Sequence, residues 1–60
     1  MTRILVLEDD DRSRESLCRM LEKISDQITV DAAADLAGAR LLLRSAVSFD
    51  LFLLDIHSIE

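Results

Sequence analysis

Five carboxylates in two places are the side chains of this sequence best equipped for chemistry. Glu8, Asp9, Asp10 and Asp11 follow one another directly, and Asp55 stands apart near the other end. Adjacent acids repel, so a cluster of four is expensive to hold together unless water, a helix N-terminus or a cation offsets the repulsion. An oxygen-only site suits Mg²⁺, which keeps several waters and takes one or two carboxylates together with phosphate oxygens. A carboxylate in such a cluster can also attack phosphorus and hold the phosphoryl group as an aspartyl-phosphate. A bound metal would neutralise charge on the group in transit.

Both acidic sites terminate apolar runs. Ile4-Leu5-Val6-Leu7 and Leu51-Phe52-Leu53-Leu54 are continuous rather than alternating, the pattern of strands buried on both faces of a parallel sheet. The first strand is expected over Thr2 to Leu7. A helix should follow from Asp11 or Arg12 to Ile24, with Leu17, Met20, Leu21 and Ile24 on one face and Asp10 or Asp11 as its cap. After Ser25-Asp26-Gln27, the residues Ile28, Val30 and Ala32 alternate with Thr29, Asp31 and Ala33. That strand is less apolar than the first and belongs at an edge. Asp35 is placed to cap a second helix from Leu36 to about Ala46, with Ala39, Leu42, Leu43 and Ala46 as its buried stripe. Gly38 costs that helix about 1 kcal/mol relative to alanine without ending it.

Strand, helix, strand, helix, strand is the signature of an α/β fold with a parallel sheet. With the weaker strand at the edge, the expected order is 2-1-3, and right-handed crossovers put the helices on opposite faces. Ligands bind such sheets outside the carboxyl ends of the strands, where the winding reverses. Adjacent strands lie about 4.8 Å apart, so Asp9 and Asp55 are expected within reach of one ion.

Composition narrows the rest. Sixty residues amount to one domain at most, able to bury roughly 60% of the unfolded surface. Half are apolar, but Phe49 and Phe52 are the only aromatic residues, so the core must be aliphatic. Seven basic against twelve acidic residues give a net charge of −5, which argues against contact with nucleic acid phosphates. Cys18 is alone, and neither a disulfide framework nor a Cys/His zinc pattern is present. No apolar run approaches the roughly 20 residues of a membrane span, and the expected location is the cytoplasm.

Ile4-Leu5-Val6-Leu7-Glu8-Asp9-Asp10, taken with Asp50-Leu51-Phe52-Leu53-Leu54-Asp55-Ile56, resembles the receiver domain of two-component response regulators. The spacing between the acidic run and Asp55 matches a strand-helix-strand-helix-strand segment of that family. Asp35 opening the second helix after Ala32-Ala33-Ala34 is also usual there. The resemblance implies a flavodoxin-like, doubly wound parallel sheet, of which residues 1–60 form the N-terminal half. It implies that Asp55 accepts a phosphoryl group from a histidine kinase or phosphotransfer protein, a signalling role rather than an enzymatic one. It also implies that Glu8 and Asp9 bind Mg²⁺, with Asp55 itself and the backbone carbonyl of His57 as further ligands.

The family's later hydroxyl residue and lysine have no counterpart here, so the 60 residues are expected to be incomplete or inactive alone. Ser58 stands where a bulky apolar residue is usual, and Ile59 where proline is common. The third strand should then expose an apolar edge and self-associate through it.

Blander roles fit several of these residues. Asp10 and Asp11 are expected to cap and solvate the first helix, and Cys18 to be a partly buried filler. Arg12, Arg14, Arg19 and Lys23 read as a solvated face, although in the family this helix docks on the phosphotransfer partner. Two rival functions remain: a phosphohydrolase of the haloacid dehalogenase type, with Asp9 to Ser13 as its motif, and a receiver-like module that only dimerises. A calcium loop starting at Asp9 fails, because Arg14 and Met20 occupy the positions needing glycine and a bidentate acid.

Overall fold

The structure, a computed structural model, describes residues 1–55, with the side chain of Asp55 excepted. Its elements are β1 (Thr2–Glu8), α1 (Asp11–Ile24), β2 (Ile28–Ala33), α2 (Leu36–Arg44) and β3 (Leu51–Asp55). The three strands form one sheet in the order β2-β1-β3, and both pairings are parallel. This is the βαβαβ arrangement of a partial flavodoxin-like fold.

β1 supplies the core. Ile4, Leu5, Val6 and Leu7 are each at most 3% exposed. Alternation along the strand divides them between two clusters. Ile4 and Val6 pack with Leu21 of α1, and Leu17, Ile28, Val30 and Leu53 close around them. Leu5 and Leu7 pack with Ala33 and with Ala39 of α2, and Leu42 and Phe49 complete that side. The helices therefore cover opposite faces, and the unbroken apolar run of β1 is explained by burial on both.

Side-chain caps start both helices. Asp10 accepts from the Ser13 amide at 2.8 Å, and Asp35 accepts from the Gly38 amide at 2.8 Å. Gly38 is where α2 comes close to β2, since a Cβ there would lie 3.3 Å from the Ala33 Cβ. That close approach is what the loss in helix propensity provides for.

The expected boundaries shift in two places, and the expected burial shifts as well. β1 runs one residue further, through Glu8. α2 stops at Arg44 instead of near Ala46, because the Ser45 amide and hydroxyl both turn back to the Leu42 carbonyl, at 3.2 and 2.6 Å. Of the expected helical stripes only part is buried: Met20, Ile24 and Leu43 are more than half exposed, and Ala46 is exposed beyond the helix. The reason is the position of the helices. Both pack over β1 and β2, and neither packs against β3 among the described residues.

Candidate functional site at the carboxyl ends of β1 and β3

The loop from β1 to α1 is two residues long, so the acidic run is divided among four environments. Glu8 is the last residue of β1. Alternation places it on the same face as Ile4 and Val6, beneath the start of α1, and it is 0% exposed. Its Oε2 accepts from the Asp10 amide at 2.9 Å, where the positive end of the helix dipole favours a carboxylate. Asp9 follows in the loop, half-buried. Asp10 is the helix cap, and Asp11 lies exposed in the first helical turn, where it forms an ion pair with Arg14.

Arg14 is the residue whose role the sequence concealed. It was expected on a solvated face, yet its side chain is only 23% exposed. One guanidinium nitrogen, Nη1, donates to the Glu8 carbonyl oxygen at 3.1 Å, and Nη2 reaches Asp11. Arg14 thus fastens the beginning of α1 to the end of β1. A basic residue one turn into a helix after an acidic loop is the available signal, but it is the same signal a solvated ion pair gives. Arg19 is such a pair, with Glu15 at 3.5 Å and both side chains well exposed.

β3 ends at the same end of the sheet, with Asp55 as its last residue. The β1–β3 register pairs Leu7 with Leu54 and Glu8 with Asp55. Neighbouring parallel strands are about 4.8 Å apart, so the backbones of these two acidic residues are adjacent. No family model matches this chain, and no curated protein or solved structure matches it.

Next to Glu8, an open groove of about 260 Å³ runs along α1, lined by Glu8, Ser13, Ser16, Leu17 and Met20. Its lining combines the Ser13 and Ser16 hydroxyls with the apolar side chains of Leu17 and Met20, over the buried Glu8. The donors at this end of the sheet are oxygen atoms, the set that Mg²⁺ prefers over softer metals. Among the described residues, no three His, Cys, Asp or Glu side chains are gathered so as to hold an ion by themselves. The Asp55 side chain and His57, both expected to contribute, lie outside the described residues, as do Ser58 and Ile59.

Cys18 is half-buried on α1. Burial pushes its thiol pKa up, the nearby Glu22 carboxylate pushes the same way, and Arg14 opposes them. Such a thiol is a poor nucleophile, in keeping with its expected part as filler. No helix among the described residues is long and apolar enough to cross a membrane.

Proposed function

We propose that this chain is the N-terminal part of a receiver-type phosphoacceptor, in which Asp55 takes a phosphoryl group from a histidine kinase or phosphotransfer protein. The observation that carries this reading is the β1–β3 register, with Glu8 directly opposite Asp55 at the carboxyl ends of parallel strands. Glu8 and Asp9, together with Asp55 and the His57 carbonyl, would hold Mg²⁺. The ion would supply charge neutralisation for the phosphoryl group. The Asp55 carboxylate would attack phosphorus while the donor's nitrogen or oxygen leaves with the bonding pair. Arg14, by tying the Glu8 carbonyl to α1, holds the loop that presents Glu8 and Asp9. This is a signalling function, placed in the cytoplasm.

The phosphohydrolase alternative is less well supported. It needs Asp9 and Asp11 to face one substrate, but Asp11 lies within α1 and is turned to Arg14. It also leaves Asp55 without a part.

Incubation with a small phosphodonor such as acetyl phosphate and Mg²⁺, followed by intact-mass measurement and peptide mapping, tests the proposal. The expected result is slow, partial addition of one phosphoryl group to Asp55, because the family's later hydroxyl residue and lysine have no counterpart in these 60 residues, with the label labile to hydroxylamine and absent from Asp55→Asn. A label on Asp9 would move the assignment to the phosphohydrolase, and no label at all would overturn it for this chain.

A further inference from the structure

We propose that Arg14 is a positioning residue for the β1–α1 loop, whose guanidinium fork fixes Asp9 and Asp10 in one shape before any ion arrives. What the loop would bind rests on the receiver-type reading above, while the fastening itself belongs to the chain without metal.

Arg14 stands apart from the other basic residues of α1. Arg12, Arg19 and Lys23 are exposed, whereas the Arg14 side chain is only 23% exposed. Withdrawing a guanidinium from water is costly unless its donors are used, and Arg14 uses them on both sides of the loop. Nη1 donates to the Glu8 carbonyl oxygen at 3.1 Å, and Nη2 reaches the Asp11 carboxylate. Glu8 ends β1 and Asp11 begins α1, so one planar fork spans the Asp9–Asp10 connection from end to end.

The grip on Glu8 is the stronger of the two. The Asp11 side chain is 89% exposed, and an ion pair open to water contributes little. The bond to the Glu8 carbonyl is partly buried and charge-assisted. A peptide unit is planar, so holding that carbonyl oxygen also fixes the direction of the Asp9 amide and the path by which the chain leaves β1. The remaining bonds of the loop build on this start. The Asp10 amide donates to Glu8 Oε2 at 2.9 Å, and the Asp10 carboxylate accepts from the Ser13 amide at 2.8 Å.

Toward a cation, the charge and the grip of Arg14 act in opposite directions. The charge repels an ion, so by electrostatics alone its removal would strengthen binding. The grip spares the ion the cost of ordering the loop, so its loss weakens binding. Asp10 and Asp11 are exposed, and water screens the repulsion there. Ordering the two-residue loop is therefore the larger effect.

Arg14→Gln removes fork and charge together, and Arg14→Lys keeps the charge without the fork. Backbone NMR relaxation of the metal-free chain reads the loop directly. In the parent, the Asp9 and Asp10 amides are expected at an order parameter of about 0.85, the rigid value, falling toward about 0.6 in both variants. Val6, in the middle of β1, should keep the parent value. A Mg²⁺ titration followed by the same amides should give a dissociation constant raised about threefold or more in both variants.

An unchanged loop in Arg14→Gln overturns the proposal whatever the titration gives. So does a fall at Val6 as large as that at Asp9, which would make the effect a general loosening. Tighter Mg²⁺ binding by Arg14→Gln, or an Arg14→Lys variant that matches the parent, would assign the effect to charge and overturn it as well. A parent that binds no Mg²⁺ but whose loop loosens as expected upholds the fastening and defeats the phosphoacceptor reading instead.

Discussion

Glu8 and Asp55 occupy facing positions in the β1–β3 register, each the last residue of its strand. Glu8 is also fully buried, and its carboxylate accepts from the Asp10 amide at 2.9 Å. A buried carboxylate with other acids close by is held at an energetic cost. Glu8→Gln keeps the shape and the acceptor while removing the charge. The expected outcome is an unchanged or higher urea midpoint, by up to about 1 kcal/mol of stability, together with at least a tenfold loss of Mg²⁺-dependent labelling of Asp55. A variant that labels like the parent would remove Glu8 from the metal site.

At the opposite end of the sheet, Arg3 of β1 ties β2 to the segment that leads into β3. Its guanidinium meets Asp31 of β2 at 2.8 Å, and its carbon Cζ lies 5.9 Å from the Phe49 ring centroid. Its backbone amide donates to the Asp50 carboxylate at 2.9 Å, and its carbonyl accepts from the Asp50 amide at 2.8 Å. The side-chain contacts are partly solvated, so Arg3→Ala should cost about 1 kcal/mol in urea unfolding. Arg3→Lys should recover part of that loss. No measurable change in either would show the clamp to be ornamental.

Leu5 tests how little reserve the core has. It is 2% exposed and packs between α2 and the sheet. Truncating such a leucine to alanine costs about 2–5 kcal/mol, while a 60-residue domain has only about 3–9 kcal/mol in total. Leu5→Ala is expected to populate the unfolded state at 25 °C by circular dichroism. Leu41→Ala, exposed on α2, should stay within about 0.5 kcal/mol of the parent.

Cys18 carries a pH dependence whose sign follows from its surroundings. Burial, then Glu22, raise its thiol pKa above the ordinary value. Folding therefore favours the neutral thiol, and the associated stability is complete below the unfolded pKa. It is lost as pH rises through the higher folded one. Alkylation by iodoacetamide near pH 8 should be slower in the folded chain than in urea, because the thiolate is the reacting species. Glu22→Gln should speed the folded reaction. Equal rates folded and unfolded would contradict the shift.

Much of this was legible in the order of the residues. The unbroken run Ile4 to Leu7 announced a strand buried on both faces, and the two helices do cover it from opposite sides. Thr29 and Asp31 within β2 announced an edge, and β2 lies at one. Asp10 and Asp35 announced caps, since short side-chain acceptors before a helical period have few other uses. These are local or period-based properties, determined by residue type and spacing alone.

Other features were decided only when the elements met. Periodicity marked Met20, Ile24 and Leu43 as core, but burial depends on what lies opposite, and neither helix packs against β3. Arg14 became a fastening of the β1–α1 loop because a two-residue connection brings the Glu8 carbonyl beneath α1. The pairing of Glu8, rather than Asp9, with Asp55 is a matter of strand register, which arises from contacts between residues far apart in the chain. Spacing could say that the acids share an end of the sheet, while only the packed strands could say which of them stand face to face.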